Sequence, residues 1–323
     1  MGGVIRTALT RTFDLAAPVV GAPMAGVAGG ALARAVSLGG GLGMIGVGNA
    51  ASPGFVAEQA AIPADDGLPF GIGLMAWALA ERPELLDAAI AARPALVSVS
   101  FGDPEPAAGR LHDAGIAVAA QVNTVDDVRR AQAAGVDLLV AQGTEAGGHT
   151  GQRATLPLLQ EVLTLADRPV LAAGGIATGA GMASALVAGA AGVWIGTPLL
   201  ACSEALNSPA ARARVCAAAG EDTVLTSAFD VAQGLAWPQR WPGRAVANDF
   251  SREWHGREDE LAADASAARR VEEARRTGDL SAAPLYAGES VGLVTRERSA
   301  TDVVRELATG AERALRDARD LLV

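Results

Sequence analysis

The chain predicts an α/β fold, a (β/α)8 TIM barrel with a C-terminal helical extension packed on it, and three observations carry that expectation. Eight short apolar runs recur along the first two thirds of the sequence, each followed by a glycine-rich turn and an alanine-rich helical segment. The runs are apolar at successive rather than alternate positions, as in strands buried on both faces, and that pattern goes with parallel pairing. Eight near-equal units favour a closed barrel over an open doubly wound sheet. The expected division is residues 1–218 for the barrel and 219–323 for an extension that completes or covers it.

Residues 18–24 (PVVGAPM) form the first run, with a helix expected over 29–38. The second, 42–48 (LGMIGVG), precedes Ser52-Pro53, an N-cap followed by a first-turn proline. The third is 69–75 (PFGIGLM), with a helix over 82–92, and the fourth is 96–102 (LVSVSFG), with a helix over 105–114. After the fifth, 116–122 (IAVAAQV), Thr124 caps a helix that places Asp126 and Arg130 at i, i+4. The sixth covers 136–143, the seventh 169–175 (PVLAAGG) with Thr178 as the next cap, and the eighth 192–197 (GVWIGT). The remainder differs in composition. It holds three of the five tryptophans (Trp237, Trp241, Trp254), the only tyrosine (Tyr286), a charged helical segment over 256–276 and another helix over 301–322.

Half of the 323 residues are hydrophobic, which supplies ample core, yet only 4% are aromatic. The net charge is −10 and lysine is absent, which argues against nucleic acid or an anionic membrane as partner. Residues 169–203 carry no charge and are long enough to span a bilayer, but their Gly, Thr and Pro content reads as buried core. Cys202 and Cys216 have no CxxC spacing, and the N-terminal stretch lacks the order of a signal peptide, so a reducing, cytoplasmic setting is expected.

The candidate chemistry centres on residues 142–149 (QGTEAGGH), a loop leaving the sixth run. Its three glycines let backbone approach a flat or anionic group, and it ends on His149, one of three histidines. A tight turn with a surface histidine is the plainer reading of the same pattern. The seventh run ends in Gly174-Gly175 and the eighth in Gly196-Thr197, which are the two places where barrels hold phosphate. Residues 41–46 formally match GxGxxG, but they lie inside the second strand pattern and carry little weight as a dinucleotide site. Ala22 and Met24 from the first run, Ser98, Ser100 and Phe101 from the fourth, and Gln121 from the fifth would reach the same face. His112 and His255 read as surface residues, and no metal-ligand cluster, nucleophile elbow or Walker pattern occurs.

The segments GAPMAG, QGTEAGGHTG, LAAGGIATGAGM and GVWIGT, with FDVAQGLAWP and LYAGESVGLV in the extension, resemble the nitronate monooxygenase family, formerly the 2-nitropropane dioxygenases. Relatives of that family include FMN-dependent enoyl-ACP reductases and NAD(P)H:quinone reductases. The resemblance implies non-covalent FMN, with its phosphate at Gly174, Gly175 and the Trp194-Ile195-Gly196-Thr197 turn. It places flavin-ring contacts at Ala22, Met24, Gln142 and Gly147 and a catalytic base at His149; Gly148 on the same loop and Gln121 at the end of the fifth run join the expected cofactor site by position. It implies oxidation of alkyl nitronates by O2 to a carbonyl compound and nitrite; the alternative is an NAD(P)H reductase acting on a quinone or enoyl thioester. The chain departs from the family at Gly73, where many relatives carry asparagine, at Gln121, where some carry lysine, and in having one tyrosine rather than a tyrosine-lined tunnel.

Overall fold

A computed structural model describes residues 5–321. Eight parallel strands form the barrel: β1 (Val19–Gly21), β2 (Gly43–Gly46), β3 (Phe70–Met75), β4 (Leu96–Ser100), β5 (Ala117–Val122), β6 (Leu138–Gln142), β8 (Val170–Ala173) and β9 (Gly192–Ile195). Their order is β1-β9-β8-β6-β5-β4-β3-β2, and a parallel bridge between Val20 and Leu42 closes the ring. The intervening β7 (Gly148–His149) lies outside the barrel and joins β10 (Thr223–Thr226) and β11 (Gly243–Val246) in a small antiparallel sheet.

All eight expected runs became barrel strands, each shorter than its apolar run. The first stops at Gly21 because residues 22–24 turn inward, with the Ala22 N–H donating to the Ile195 carbonyl and the Met24 N–H to Ala22. The seventh stops at Ala173 because Gly174 and Gly175 take φ of +105° and +71°, a region that side chains disfavour. The glycines at 43 and 46 serve packing: a Cβ at Gly43 would lie 1.9 Å from the Ala33 carbonyl oxygen, and one at Gly46 2.3 Å from the Met24 carbonyl carbon.

Side chains alternate across the barrel wall. Val19, Ile45, Ile72, Val97, Val118, Leu139, Ala172 and Ile195 face the helices, whereas Val20, Met44, Leu96, Ala119, Val140, Leu171 and Trp194 fill the lumen. Leu9 and Leu15, on and just after the helix Ala8–Phe13, join that lumen cluster from below. The uncharged stretch 169–203 becomes β8, the helix Gly179–Val187, β9 and a turn, and among the described residues no helix is long and apolar enough to cross a membrane.

Ser52 and Thr124 cap helices as expected, their hydroxyls accepting from the N–H of Phe55 and Asp127. The expected Asp126–Arg130 pair does not form. Arg130 pairs with Asp127 and Arg129 with Asp126, each at i, i+3, because Asp127 turns inward to the Thr124 capping box. The charged segment after residue 256 divides into Glu258–Ala262 and Ala265–Thr277, since Asp264 caps the second helix by accepting from the Ser266 and Ala267 N–H groups. Beyond it the chain returns to the barrel. The helix Ala300–Asp317 packs on Gly179–Val187 and on Gly30–Leu38, with the Thr301 hydroxyl donating to the Ala35 carbonyl.

Candidate active site

The C-terminal ends of the strands open into a mouth roofed by the small sheet. Gln142, at the end of β6, is buried, and its Nε2 donates to the carbonyl of His149 at 3.1 Å. Asn123 Nδ2 donates to the Gln142 backbone carbonyl at 2.8 Å and to its Oε1 at 3.2 Å, and Trp241 Nε1 donates to Asn123 Oδ1 at 3.0 Å. The amide of Gln142 is therefore engaged in holding the loop that carries His149. Next to this network Asp127 receives Arg240 at 2.7 Å and Arg130 at 2.8 Å. Burial alone would raise its carboxyl, but hydrogen bonds from Arg240, Arg130, the Asn123 N–H and Thr124 outweigh burial and hold it below the ordinary carboxylate range.

His149 lies on β7, opposite Gly243 of β11. Its Nε2 meets both oxygens of Asp230, at 3.0 and 2.9 Å, and the two side chains are 9% and 6% exposed. Trp237 stacks on the imidazole with centroids 3.5 Å apart and planes 5° from parallel. Tyr286 lies 5.5 Å away at 47°. Burial, then the Asp230 carboxylate it faces, pushes the Tyr286 hydroxyl well above its ordinary range, so it stays protonated. Phe101 follows β4 with φ of +65°, a strained backbone for a non-glycine residue, and its ring meets Trp237 at 5.0 Å and Trp241 at 5.7 Å. Trp77 meets Trp237 at 5.2 Å. Flat apolar rings thus pack over His149 and its neighbours.

The glycines form a second feature. Among the described residues the N–H groups of Gly175 and Gly196 meet no backbone acceptor, so both remain available to an anion. Glu145 caps the helix Thr155–Leu165, accepting from the Thr155 N–H at 2.9 Å and its hydroxyl at 2.7 Å. Gly147 and Gly288 allow the segment after Tyr286 to lie on the loop: a Cβ at Gly147 would sit 2.5 Å from the Gly288 nitrogen. Thr197 Oγ1 accepts from the Gly288 N–H at 2.9 Å, and buried Arg244 ties the Thr144 carbonyl to Glu289. Met24 lies over the end of β9, where a Cβ on Gly196 would be 3.3 Å from its sulfur.

The C-terminal ends of the strands therefore carry Ala22, Met24, Gln121, Gln142, Gly147, Gly148, His149, Gly174, Gly175, Gly196 and Thr197, from six separate segments. Trp194 points into the lumen and Ile195 points to the helices, so Ile195 can offer only backbone to a ligand. The Gln121 side-chain amide is half-exposed and makes no hydrogen bond among the described residues. A flat cofactor with an anionic tail would fit this set: the glycine N–H groups without backbone partners could receive the tail, and Met24 and the Gln121 amide could lie against the ring. His112 pairs with Asp137 at 2.9 Å and His255 approaches Glu258 at 4.0 Å, both in exposed positions. Asn123, Asp230, Trp237 and Trp241 were not singled out from sequence as site residues. Asp230 left one signal, a lone carboxylate within the apolar turn of Ala228–Gln233.

The profile of the nitronate monooxygenase family matches residues 78–310. A nitronate monooxygenase of Neurospora crassa is 33% identical over 92% of this chain and 90% of its own. A putative monooxygenase of Mycobacterium tuberculosis is 45% identical, but the match spans 49% of this chain and 44% of that protein. Among solved structures, FabK from Thermotoga maritima overlays with a TM-score of 0.86 at 28% identity, covering 98% of this chain and 100% of that one. Nitroalkane oxidase from Streptomyces ansochromogenes overlays at 0.79 and 30% identity, covering 97% and 100%. The chain belongs to the nitronate monooxygenase family, enzymes that are flavin-dependent oxidoreductases.

Proposed function

We propose that this protein oxidises alkyl nitronates with O2 on non-covalently bound FMN, giving a carbonyl compound and nitrite. The overall change balances as two nitronates and one O2 to two carbonyls and two nitrites. The observation that supports it most is the buried imidazole of His149, held by Asp230 in the segment that follows β6. FMN supplies the electron transfer and the reaction with oxygen. Gly174, Gly175, Gly196 and Thr197 would hold its phosphate, Ala22 and Met24 would lie against the ring, and Gln121 would offer an amide to it or to the nitro oxygens. His149 takes the α-proton of a neutral nitroalkane and pairs with a nitronate that arrives already ionised. The rings of Trp77, Phe101 and Trp237 would shield His149 from water.

His149→Asn tests the role. Turnover of neutral nitroalkane should fall about 10²–10⁴-fold, while preformed nitronate loses only several-fold and FMN content is unchanged. Equal losses on both substrates defeat the base role. A reductase reading, supported by the FabK overlay, predicts instead that NADH or NADPH bleaches the flavin rapidly without oxygen.

A further inference from the structure

We infer that Asp230 is the positioning residue for His149 and that the reacting atom of the imidazole is Nδ1. This rests on the reading of His149 as the base. A carboxylate only accepts, so the nitrogen meeting both Asp230 oxygens at 2.9 and 3.0 Å carries a hydrogen. That fixes the neutral ring with its lone pair on Nδ1. The surroundings hold the ring in that orientation. Trp237 covers one face at 3.5 Å, and Tyr286 lies beside the ring at 5.5 Å. Gly243 backs the Nε2 edge, where a Cβ would touch Nε2 at 3.6 Å and clash with Tyr286 Cε1 at 2.7 Å. The backbone is held as well, by pairing of His149 with Gly243 and by the Gln142 amide on its carbonyl.

Asp230 sits on the helix Ala228–Gln233, flanked by Phe229 and other apolar residues of a buried cluster. Among the described residues its one ion-pair partner is His149. A carboxylate buried without an arginine is costly for the fold, and the imidazole N–H, together with the Tyr286 hydroxyl that hydrogen-bonds to Asp230, offsets that cost. In the reaction the α C–H bond breaks, its proton goes to Nδ1, and the electron pair remains on the substrate as the nitronate. The imidazolium that forms lies against the Asp230 anion, which keeps its charge throughout. No redox change occurs in this step.

The test has two independent readouts. Long-range ¹⁵N NMR of the wild-type protein, with or without flavin, should show His149 as the Nε2–H tautomer, and Asp230→Asn should lose that preference. With FMN loaded, Asp230→Asn should cut kcat on neutral nitroalkane about 10²-fold, leave preformed nitronate within about threefold, and be partly rescued by Asp230→Glu. An Nδ1–H tautomer in the wild type overturns the inference, as do equal losses on the two substrates. If the wild type oxidises neither substrate, the proposed reaction fails while the NMR result still decides the role of Asp230. If Asp230→Asn does not fold, the wild-type tautomer and Asp230→Glu remain decisive.

Discussion

Asp127 shows how one side chain serves both a helix cap and the site. Its carboxylate accepts from the Asn123 and Thr124 N–H groups, completes the Thr124 capping box, and binds Arg240, whose guanidinium lies 3.9 Å over the Trp241 ring. Trp241 in turn donates to Asn123, which holds Gln142. Asp127→Asn should therefore lower stability at pH 7 by about 1–3 kcal/mol, the cost of weakened buried hydrogen bonds to a charge. The sign with pH follows from a carboxyl held below its ordinary 3.8 in the folded state. The stabilisation is present above that value and is lost as pH falls through the lower folded one. Denaturant melts of both proteins from pH 7 downwards should show the gap closing only below about pH 4. Gly73 has an equally local reason. A Cβ there would lie 2.3 Å from Pro23, so the proline that crosses the mouth excludes any side chain, including the asparagine of many relatives.

At the scale of elements, the barrel strands were legible because burial on both faces leaves a continuous apolar run, and their turns because glycine marks backbone that side chains disfavour. Capping residues set several helix starts for the same local reason, at Ser52, Thr124 and Thr178. The pairing of helices was not legible. Gly310, in the last helix, meets Gly179 at the start of Gly179–Val187, and neither position is marked by its neighbours in sequence. The two glycines are not equivalent. A Cβ at Gly179 would lie 2.4 Å from the Gly310 carbonyl carbon, whereas one at Gly310 would lie 3.1 Å from Gly179 Cα. Gly179→Ala should destabilise by about 2 kcal/mol or more through overpacking. Gly310→Ala should be near neutral, because about 1 kcal/mol of helix propensity offsets the tight contact. Thermal unfolding that ranks the two in the opposite order would reject this description of the crossing.

For the whole molecule, the order of segments matters more than their number. The stretch between β9 and Ala300–Asp317 carries the sheet that holds His149, and the final helix then packs on helices from both ends of the barrel. Val303, Val304 and Leu307 of that helix lie in the same core cluster as Val36, Ala183 and Val193. We expect a fragment of residues 1–218 to lack a cooperative unfolding transition, because it leaves that core uncovered and β7 without β11. A fragment that melts cooperatively and still binds FMN would show the remainder to be a dispensable cover.

By itself the sequence determined the barrel, the course of its eight strands, the glycines at 174, 175 and 196 that follow the seventh and eighth of them, and that His149 comes after the sixth; it read His149 as the end of a loop, whereas the structure pairs it in β7. Those features are written in the period of apolar residues and in residues adjacent along the chain. Only the tertiary structure decided what His149 touches. Asp230 is 81 residues away, the Asn123–Trp241 bond spans 118 and the Thr197–Gly288 bond spans 91. An apolar pattern states that a position is buried, not against what, so partners brought together by the docking of a separate sheet leave no periodic trace. The physical reason is range: burial is a property of one position and its neighbours, whereas a hydrogen-bonded pair is a property of the folded distance between two.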